Sequence, residues 1–354
     1  MGLKPSLFRC DSQEAGPQYL EDLATGYWYS EVLFAAVEMK IFTFLESKGK
    51  AIDELAGMLK LNPQGLERFL NSLCTMSLLN RDGTHFFNTE LATKYLVETS
   101  DSYQGESILW RKHLCSNWQG LSECLKAGGR VNFAPIHEEP KKLAARTRKY
   151  IRAMDCVAKT KVQEILPFFK DYAMQGEILD VGAGSGAITA GFLKQFPAMT
   201  ATLMDLPDVL DFARELMEEQ GLAERISYCQ ANILESWPVD KERYSLIILS
   251  NIIHAYSNEE IPDILDKASE CLKPEGLLMI HDFFLEHFRE KAVLFDLNMF
   301  MNTYNGMVYS EKWVGDQLVL RKLYRTGLIP LTTDTAVIFA AKTEKSMEHL
   351  CFDS

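Results

Sequence analysis

A glycine-rich turn stands in the second half of the chain, between an apolar run and a helical stretch. It reads Asp-Val-Gly-Ala-Gly-Ser-Gly from Asp180 and contains Gly182, Gly184 and Gly186. Glycine lets the backbone turn sharply and lets a ligand lie against it without a Cβ in the way. The Gly-x-Gly-x-Gly spacing is tighter than the Gly-x-Gly-x-x-Gly of a dinucleotide pyrophosphate site. The turn therefore favours a nucleoside that has no phosphate to bind.

An acidic residue follows the glycine turn at a spacing that suits a ribose ligand. Asp205 lies 19 residues after Gly186, at the end of the next apolar run. A carboxylate there can accept hydrogen bonds from both ribose hydroxyls. Asn232 follows the third run and could form a hydrogen bond with an adenine ring or lie at its edge. Further candidates for the nucleoside site lie near the ends of these runs: Asp180, Leu206, Ile233 and Ser250.

These side chains need a sheet to position them, and the sequence from Glu177 onward is typical of one. Short β-rich runs alternate there with helical stretches, at 178–181, 200–204, 226–228, 245–249, 277–280 and 335–340. Such alternation predicts an α/β, Rossmann-like, doubly wound sheet that is mostly parallel. The boundary of this domain should fall near 165–175.

The N-terminal third has the apolar periodicity of helices. Asn62 and Pro63 are a good cap and first position for a helix that extends to Met76. Two short runs then flank Asp82-Gly83, which is a hairpin turn signal. Helices followed by a hairpin resemble a winged helix, which either binds DNA or serves packing and dimerisation. Arg68 is the only positive charge of the Pro63–Met76 helix, and this disfavours DNA binding.

Length, charge and cysteine use exclude several classes of protein. The 354 residues, 47% of them apolar, indicate two or three globular domains. A net charge of −12 gives no general attraction to nucleic acid or anionic lipid. The eight cysteines match neither a zinc site nor a disulfide framework, and no apolar run is long enough to span a bilayer. With no signal peptide in the first 18 residues, we expect a cytoplasmic protein with reduced thiols, no membrane contact and no metal.

Several motifs together resemble one enzyme family. They are the glycine turn, Asp205-Leu206-Pro207, and Asn-Ile-Ile-His-Ala-Tyr-Ser-Asn-Glu from Asn251. The chain is similar, from about Tyr19 to Lys342, to the plant-type, hydroxyindole-type S-adenosylmethionine-dependent small-molecule O-methyltransferases, which have many bacterial members. The resemblance implies S-adenosylmethionine as cofactor and S-adenosylhomocysteine as product. It also implies direct methyl transfer, without a metal, to a small aromatic or heterocyclic hydroxyl acceptor.

The resemblance also implies a domain organisation. An N-terminal all-helical, winged-helix-like domain over 1–105 would form a homodimer and would not bind nucleic acid. A helical linker over 106–170 would contribute to the substrate pocket. The methyltransferase domain would cover 171–354.

His254 maps onto the histidine that acts as general base in this family. Its chemistry supports the role independently, because an imidazole with a pKa near ~6.5 takes up a proton at neutral pH. It also lies just beyond an apolar strand, where open α/β sheets bind their ligands. Asp282 aligns with the family acid at the end of the fifth strand, and would orient His254 and stabilise the imidazolium. His281 should point to the other side, because neighbours on a strand alternate.

Two acids of the family are absent. Ala255 replaces the aspartate after the histidine, and Gly306–Ser310 lacks the carboxylate of a Gly-Lys-Glu-Arg-Thr segment. His254 therefore has a single acid partner, or the substrate needs little deprotonation. Alternatively the acceptor atom is carbon or nitrogen, on a heterocycle or a tetrapyrrole. A more distant alternative is a winged-helix transcription regulator with a metabolite-binding domain.

Four residues match or adjoin family positions around a planar acceptor: Trp118, Met154, Met299 and Thr303. Thioethers adapt well to aromatic rings, although each methionine also fits an ordinary core. Basic residues cluster between 141 and 152. They indicate an anionic substrate or, more simply, a solvated helix face.

Overall fold

The computed structural model describes residues 16–46, 48–131 and 139–352. The chain divides into two compact units, Met1–Leu114 and Cys115–Ser354. Within the described ranges, no helix combines the length and the apolar character needed to cross a membrane. The seven cysteines that lie in those ranges are all free thiols. Cys10 lies outside them.

The first unit is helical, with one small sheet. Its helices are α1 Pro17–Thr25, α2 Tyr27–Glu38, α3 Ile41–Phe44, α4 Ile52–Leu59, α5 Pro63–Thr75 and α6 Glu90–Leu96. Helix α7 Gly105–Gln119 begins in this unit and ends in the second. Its strands are β1 Lys50–Ala51, β2 Leu79–Asp82 and β3 His85–Asn88, in the antiparallel order β1-β3-β2.

The predicted helix and hairpin are both present in this unit. Asn62 caps α5 through a side-chain hydrogen bond of 3.0 Å to a backbone N–H three residues on. Strands β2 and β3 form the hairpin, in which Asp82 pairs with His85. The two-residue loop is therefore Gly83-Thr84, one residue later than the turn signal indicated. Gly83 has φ +58°, a conformation that the absence of a Cβ permits.

The second unit is built on an eight-stranded sheet. Its strands are β4 Gly176–Val181, β5 Met199–Asp205, β6 Ile226–Gln230, β7 Tyr244–Ser250, β8 Leu272–Asp282, β9 Tyr324–Arg325, β10 Ile329–Pro330 and β11 Ala336–Ala341. The order is β10-β11-β8-β7-β4-β5-β6, with β9 also paired to β11. Strands β4 to β8 run parallel, and β11 is antiparallel to its neighbours. The prediction of a mostly parallel α/β sheet is confirmed.

Helices cover both faces of this sheet. The helices that pack on its two cores are α9 Pro140–Ile165, α10 Ala187–Gln195, α11 Pro207–Glu219, α12 Ile261–Cys271 and α14 Glu311–Leu320. The unit also contains α8 Leu121–Ala127 and α13 Arg289–Asn302. Successive strand residues feed two separate cores: Ile178 packs with α10 and α11, and Leu179 packs with α12 and α14. Because both faces are covered, the central strands are apolar throughout, and their carboxyl ends meet at one edge.

Helix α9 is bonded to the turn before β11 by charged side chains, of which Lys161 is buried. Lys161 is only 4% exposed, and its Nζ donates to Thr333 Oγ1 and, at 3.2 Å, to Asp334 Oδ1. Glu164 accepts from the backbone N–H and the hydroxyl of Thr333 at 3.0 and 2.8 Å. Buried charges are tolerated when they are paired in this way. These bonds hold the C-terminal half of α9 on the sheet edge.

Candidate active site

The glycine turn joins β4 to α10 at the carboxyl edge of the sheet. Gly182, Gly184 and Gly186 have φ of +66°, +56° and +75°, which residues with a Cβ rarely adopt. A Cβ on Gly182 would collide with the side chain of Ile252, whereas a Cβ on Gly184 would enter open space. The outer side of the turn is therefore bare backbone that a ligand can approach.

Asp205 ends β5 and holds the glycine turn. Its Oδ2 accepts from Gly184 N at 2.9 Å, and its Oδ1 accepts from Leu206 N at 2.7 Å. Burial raises the pKa of Asp205, while these two backbone hydrogen bonds act in the opposite direction. The carboxylate and the turn thus form one continuous polar surface at the ends of β4 and β5.

Two of the predicted nucleoside ligands are engaged inside the fold. Asp180 is 3% exposed, and its Oδ2 accepts from Thr189 Oγ1 at 2.7 Å. Burial raises the pKa of Asp180 to about 7, with Asp205 adding to the shift and Thr189 opposing it. Ser250 Oγ is 2.8 Å from His281 Nδ1. The Asp180 bond joins β4 to α10, and the Ser250 bond joins β7 to β8.

The remaining candidates around the nucleoside site differ in exposure. Asn232 is exposed, and its Oδ1 accepts from Leu234 N at 3.1 Å. Ile233 is buried in the core on the α12 side of the sheet, and Leu206 is exposed beside Asp205. Neither side chain would compete with a polar ligand for hydrogen bonds.

His254 and Asp282 form a hydrogen-bonded pair. His254 Nδ1 is 2.5 Å from Asp282 Oδ1, and Asp282 Oδ2 accepts from the His254 backbone N at 3.3 Å. Asp282 Oδ1 also accepts from Phe283 N at 2.7 Å, so the fully buried carboxylate is held from several sides. A carboxylate on Nδ1 keeps the proton there and leaves Nε2 able to accept one.

The loop after β7 turns sharply to present His254. Asn251 adopts the left-handed conformation, with φ +55°, and its N–H donates to His281 O at 2.8 Å. Asparagine is among the few non-glycine residues that tolerate this region. The short 3₁₀ helix Ile253–Ala255 then carries the histidine back over the end of β8.

His281 is the buried neighbour of Asp282 and serves a different purpose. Its Nδ1 is bonded to Ser250 Oγ and its Nε2 to Thr335 Oγ1, both at 2.8 Å. Burial lowers the pKa of His281 to about 3, with the nearby Lys161 charge adding to the shift. The ring therefore stays neutral and joins β7, β8 and the start of β11.

An aromatic cluster that the sequence analysis did not single out surrounds the His254 ring. Phe283 and Phe295 stack with centroids 3.8 Å apart, and the imidazole meets them edge-to-face at 6.1 and 5.2 Å. Met299 belongs to the same cluster and is 6% exposed. The spacing of four between Phe295 and Met299 on α13 was the available signal, since it places both on one helix face.

The loop 303–310 lies against the backbone of the same histidine. A Cβ on Gly306 would collide with His254 O. Thr303 Oγ1 accepts from Gly306 N at 2.9 Å and donates to a carbonyl of α13 at 2.7 Å, so its hydroxyl is engaged within the loop. Asp296 on α13 reaches this loop, where its Oδ1 accepts from Val308 N at 2.7 Å. The loop has no carboxylate of its own, but Asp296 of the neighbouring helix supplies one to it.

The other predicted acceptor residues lie on the helical segments. Trp118 is half-buried at the end of α7, and Met154 is half-buried on α9. Part of the basic cluster packs on α11, where Arg148 pairs with Glu215 at 2.8 Å and lies over Phe212. Across the described ranges, no group of three or more His, Cys, Asp or Glu side chains is arranged to hold a metal ion.

Comparison with known proteins identifies the family. Residues 118–316 match the O-methyltransferase domain, and residues 21–98 match the O-methyltransferase dimerisation domain. The first match covers more than half of the chain, which belongs to the O-methyltransferase family. The fold prediction and the resemblance inferred from the motifs are both confirmed.

Individual relatives are distant but cover most of the chain. A mitomycin biosynthesis 6-O-methyltransferase of Streptomyces lavendulae is 24% identical over 300 residues, 80% of this chain and 82% of that protein. The N,N-dimethyltransferase OxyT of Streptomyces rimosus is 24% identical over 274 residues, 74% and 77% of the two chains. The structure of human N-acetylserotonin methyltransferase with S-adenosylmethionine superposes with a TM-score of 0.80 at 21% identity, covering 94% and 99% of the chains.

Proposed function

We propose that this protein transfers a methyl group from S-adenosylmethionine to a hydroxyl of a small aromatic or heterocyclic acceptor, with His254 as general base. The observation that carries the proposal is the His254–Asp282 pair, which stands at the same sheet edge as the glycine turn and Asp205. A base and a nucleoside-type surface at one edge are what direct methyl transfer to a hydroxyl needs.

As a member of the family, the chain uses S-adenosylmethionine as methyl donor, and its residues fit this cofactor. The glycine turn has an open backbone surface, where a Cβ on Gly184 would meet nothing, and Asp205 supplies a carboxylate beside it. When bound, the cofactor supplies an electrophilic methyl group on its sulfonium. The residues that would hold it are Gly182, Gly184, Gly186, Asp205, Leu206, Asn232 and Ile233. Asp180 and Ser250 would act indirectly, by fastening the strand ends.

The chain's own residues would handle the proton. His254 Nε2 would take the proton of the acceptor hydroxyl. Asp282 keeps the other proton on Nδ1 and stabilises the imidazolium that results. Phe283 and Phe295 hold the ring plane by packing against it and exclude water from that side. Trp118, Met154, Met299 and Thr303 would line the acceptor.

We propose the homodimer on a surface of the first unit. Residues 21–98 match the family's dimerisation domain. Helix α1 has no buried residue, and four apolar side chains on α1 and the start of α2 are more than half exposed: Leu20, Leu23, Tyr27 and Trp28. Apolar side chains concentrated in this way are typical of an interface that a second copy covers.

A second candidate is transfer to nitrogen or carbon. Val308 replaces the second family acid, and one relative is an N,N-dimethyltransferase. A neutral amine attacks without first losing a proton, so turnover on such an acceptor would depend little on His254.

The test compares His254→Ala with wild type in S-adenosylhomocysteine binding and in methyl transfer to a panel of phenols and hydroxylated heterocycles. We expect turnover to fall about 10²- to 10⁴-fold while cofactor affinity stays unchanged, because a general base contributes on that scale. His85→Ala, an exposed histidine of the first unit, is the matched control and should change neither quantity. Equal loss of affinity and turnover would contradict the assigned role. Full turnover on an amine acceptor alone would favour the second candidate.

A further inference from the structure

Three asparagines form a directed chain of hydrogen bonds that ends on α13, the helix whose Phe295 contacts the His254 ring. Asn117 Nδ2, on α7, donates to Asn302 Oδ1, on α13, at 2.5 Å. Asn302 Nδ2 donates to both Oδ1 and the backbone O of Asn298 at 3.0 Å. All three residues belong to the second unit.

The direction of this chain follows from one partner. A backbone carbonyl can only accept a hydrogen bond, so the atom of Asn302 that meets Asn298 O must be its Nδ2. Its oxygen then faces Asn117, which must donate. The side-chain oxygen of Asn298 likewise faces Asn302. The Nδ2 of Asn298 is therefore turned away from the chain.

Asn298 is buried, yet its donor is unused. The residue is 8% exposed, and among the described residues no group accepts a hydrogen bond from its Nδ2. The Nδ2 atom itself is not sealed inside the protein, so a ligand that reaches this position can accept its hydrogen bond.

The unused donor lies on the face of α13 that meets the base. Phe295, Asn298, Met299 and Asn302 are spaced by three and four residues, so they share one face of the helix. Phe295 contacts the His254 ring, and Met299 belongs to the same aromatic cluster. Asn298 is thus the one side chain of this face that offers an unused N–H donor beside the proposed acceptor.

We propose that the methyl acceptor carries a hydrogen-bond acceptor of its own, a carbonyl oxygen or a ring nitrogen, which Asn298 Nδ2 binds. This inference rests on the proposed function. Asn302 and Asn117 are positioning residues, because they set which end of the Asn298 amide faces the acceptor. A site built to hydrogen-bond a substrate group discriminates strongly against analogues that lack it.

The first experiment measures binding of paired probes to the protein loaded with S-adenosylhomocysteine. The pairs are 6-hydroxyquinoline with 2-naphthol, and 4-hydroxyacetophenone with 4-ethylphenol. We expect the member with the nitrogen or carbonyl to bind at least about tenfold more tightly in one pair, as one hydrogen bond to a polar site allows. Asn298→Leu, of similar size, should abolish that difference. A wild type that prefers neither heteroatom-bearing probe overturns the proposal.

The second experiment tests the direction of the chain. In Asn302→Asp the carboxylate can only accept, so it loses the bond to the Asn298 backbone O and moves away from that carbonyl. The Asn298 amide then turns its Nδ2 towards the carboxylate and presents its oxygen to the acceptor side. The preference for 6-hydroxyquinoline over 2-naphthol should disappear, and 5-hydroxyindole, which carries an N–H, should gain over 5-hydroxybenzofuran. Asn302→Leu should remove the first preference without producing the second. An Asn302→Asp variant with the wild-type preference contradicts the positioning role.

Binding of S-adenosylhomocysteine distinguishes a failure of the proposed function from a failure of the role proposed for Asn298. All these variants should keep wild-type affinity for S-adenosylhomocysteine, because none touches the glycine turn. A wild type that does not bind S-adenosylhomocysteine refutes the proposed function. A wild type that binds it and methylates both members of each pair equally refutes only the role of Asn298.

Discussion

In the proposed site, the glycine turn with Asp205 is the methyl-donor side, and the side chains around His254 are the methyl-acceptor side. The two sides are built by different means. On the donor side, a short contiguous turn presents backbone, and one carboxylate is bonded to that backbone. On the acceptor side, side chains from β8, α13 and the loop after β7 meet around His254. A site of backbone depends on φ angles and glycine spacing. A site of side chains depends on which elements the fold brings together.

After removal of the base itself, the largest effect should come from changing its acid partner. Asp282→Asn keeps the shape of the side chain but removes the charge that holds the His254 tautomer and stabilises the imidazolium. We expect kcat to fall about 10²- to 10³-fold with unchanged S-adenosylhomocysteine affinity. Asp316→Asn, at an exposed position on α14, is the control. A kcat within twofold of wild type would show that His254 needs no acid partner.

On the donor side, Asp205→Ala should act on affinity alone. It removes the carboxylate proposed for the ribose hydroxyls and frees the N–H groups of Gly184 and Leu206. The Kd for S-adenosylhomocysteine, measured by isothermal titration, should rise about tenfold or more, as loss of a charged hydrogen-bond partner implies. The kcat at saturating cofactor should remain within a few-fold. Asp208→Ala, exposed one turn away, should leave the Kd unchanged.

Two glycine substitutions should each impair one side of the site and leave the other unchanged, with effects of about the same size. In Gly306→Ala the new Cβ meets His254 O, so kcat should fall about tenfold. In Gly184→Ala the Cβ projects from a left-handed residue onto the donor surface, so the cofactor Kd should rise about tenfold. Gly57→Ala on α4, which meets no neighbour, should be neutral in both assays. If both variants changed the same parameter, the two sides would not be separable.

The smallest effect concerns stability and pH. The pKa of buried His281 is lowered from 6.5 to about 3. Between these two pH values the unfolded chain binds a proton at this histidine and the folded chain does not, so acidification favours unfolding. The contribution of neutral His281 to the free energy of unfolding is fully present above pH 6.5 and is lost as the pH falls towards 3. Asp180 acts in the opposite sense, since its pKa is raised to about 7, and its neutral form favours the fold at low pH.

Removing either group should therefore change the pH dependence in opposite directions. Thermal unfolding of the full chain at pH 5 and pH 7 measures it, with at most about 1.4 kcal/mol per pH unit from each group. His281→Asn should make stability fall less on acidification, and Asp180→Asn should make it fall more. Parallel changes in the two variants would contradict the assigned pKa directions.

The sequence predicted the donor side well because its information is local. The spacing of Gly182, Gly184 and Gly186 indicates the sharp turn that the structure has, and Asp205 follows at a regular interval set by one helix and one strand. Chain periodicity was likewise enough for the sheet. The pair of His254 and Asp282 was also predicted, although only through the resemblance to a family.

The rest of the acceptor side could not be predicted in the same way. Asn117 and Asn302 are 185 residues apart, and nothing in either neighbourhood indicates the bond between them. Asp296 was not expected at the loop that lacks an acid, because its approach depends on how α13 folds back. Ser250 stays a prediction as a ligand residue; the bond of its hydroxyl to His281 was not indicated by its position at a strand end.

Helix α9 acts mechanically as a beam that is clamped near its C-terminal end and supported near the other end by the contacts of Arg148 with Glu215 and Phe212. Lys161 and Glu164 are the clamp, and Met154 and Arg146 lie farther along the beam. Fifteen residues of helix separate Lys161 from Arg146, about 22 Å at 1.5 Å per residue. A tilt of about 5° at the clamp would therefore displace the far residues by about 2 Å. Substitutions at buried Lys161 can thus move Met154, one of the residues proposed to line the acceptor, by leverage along the helix.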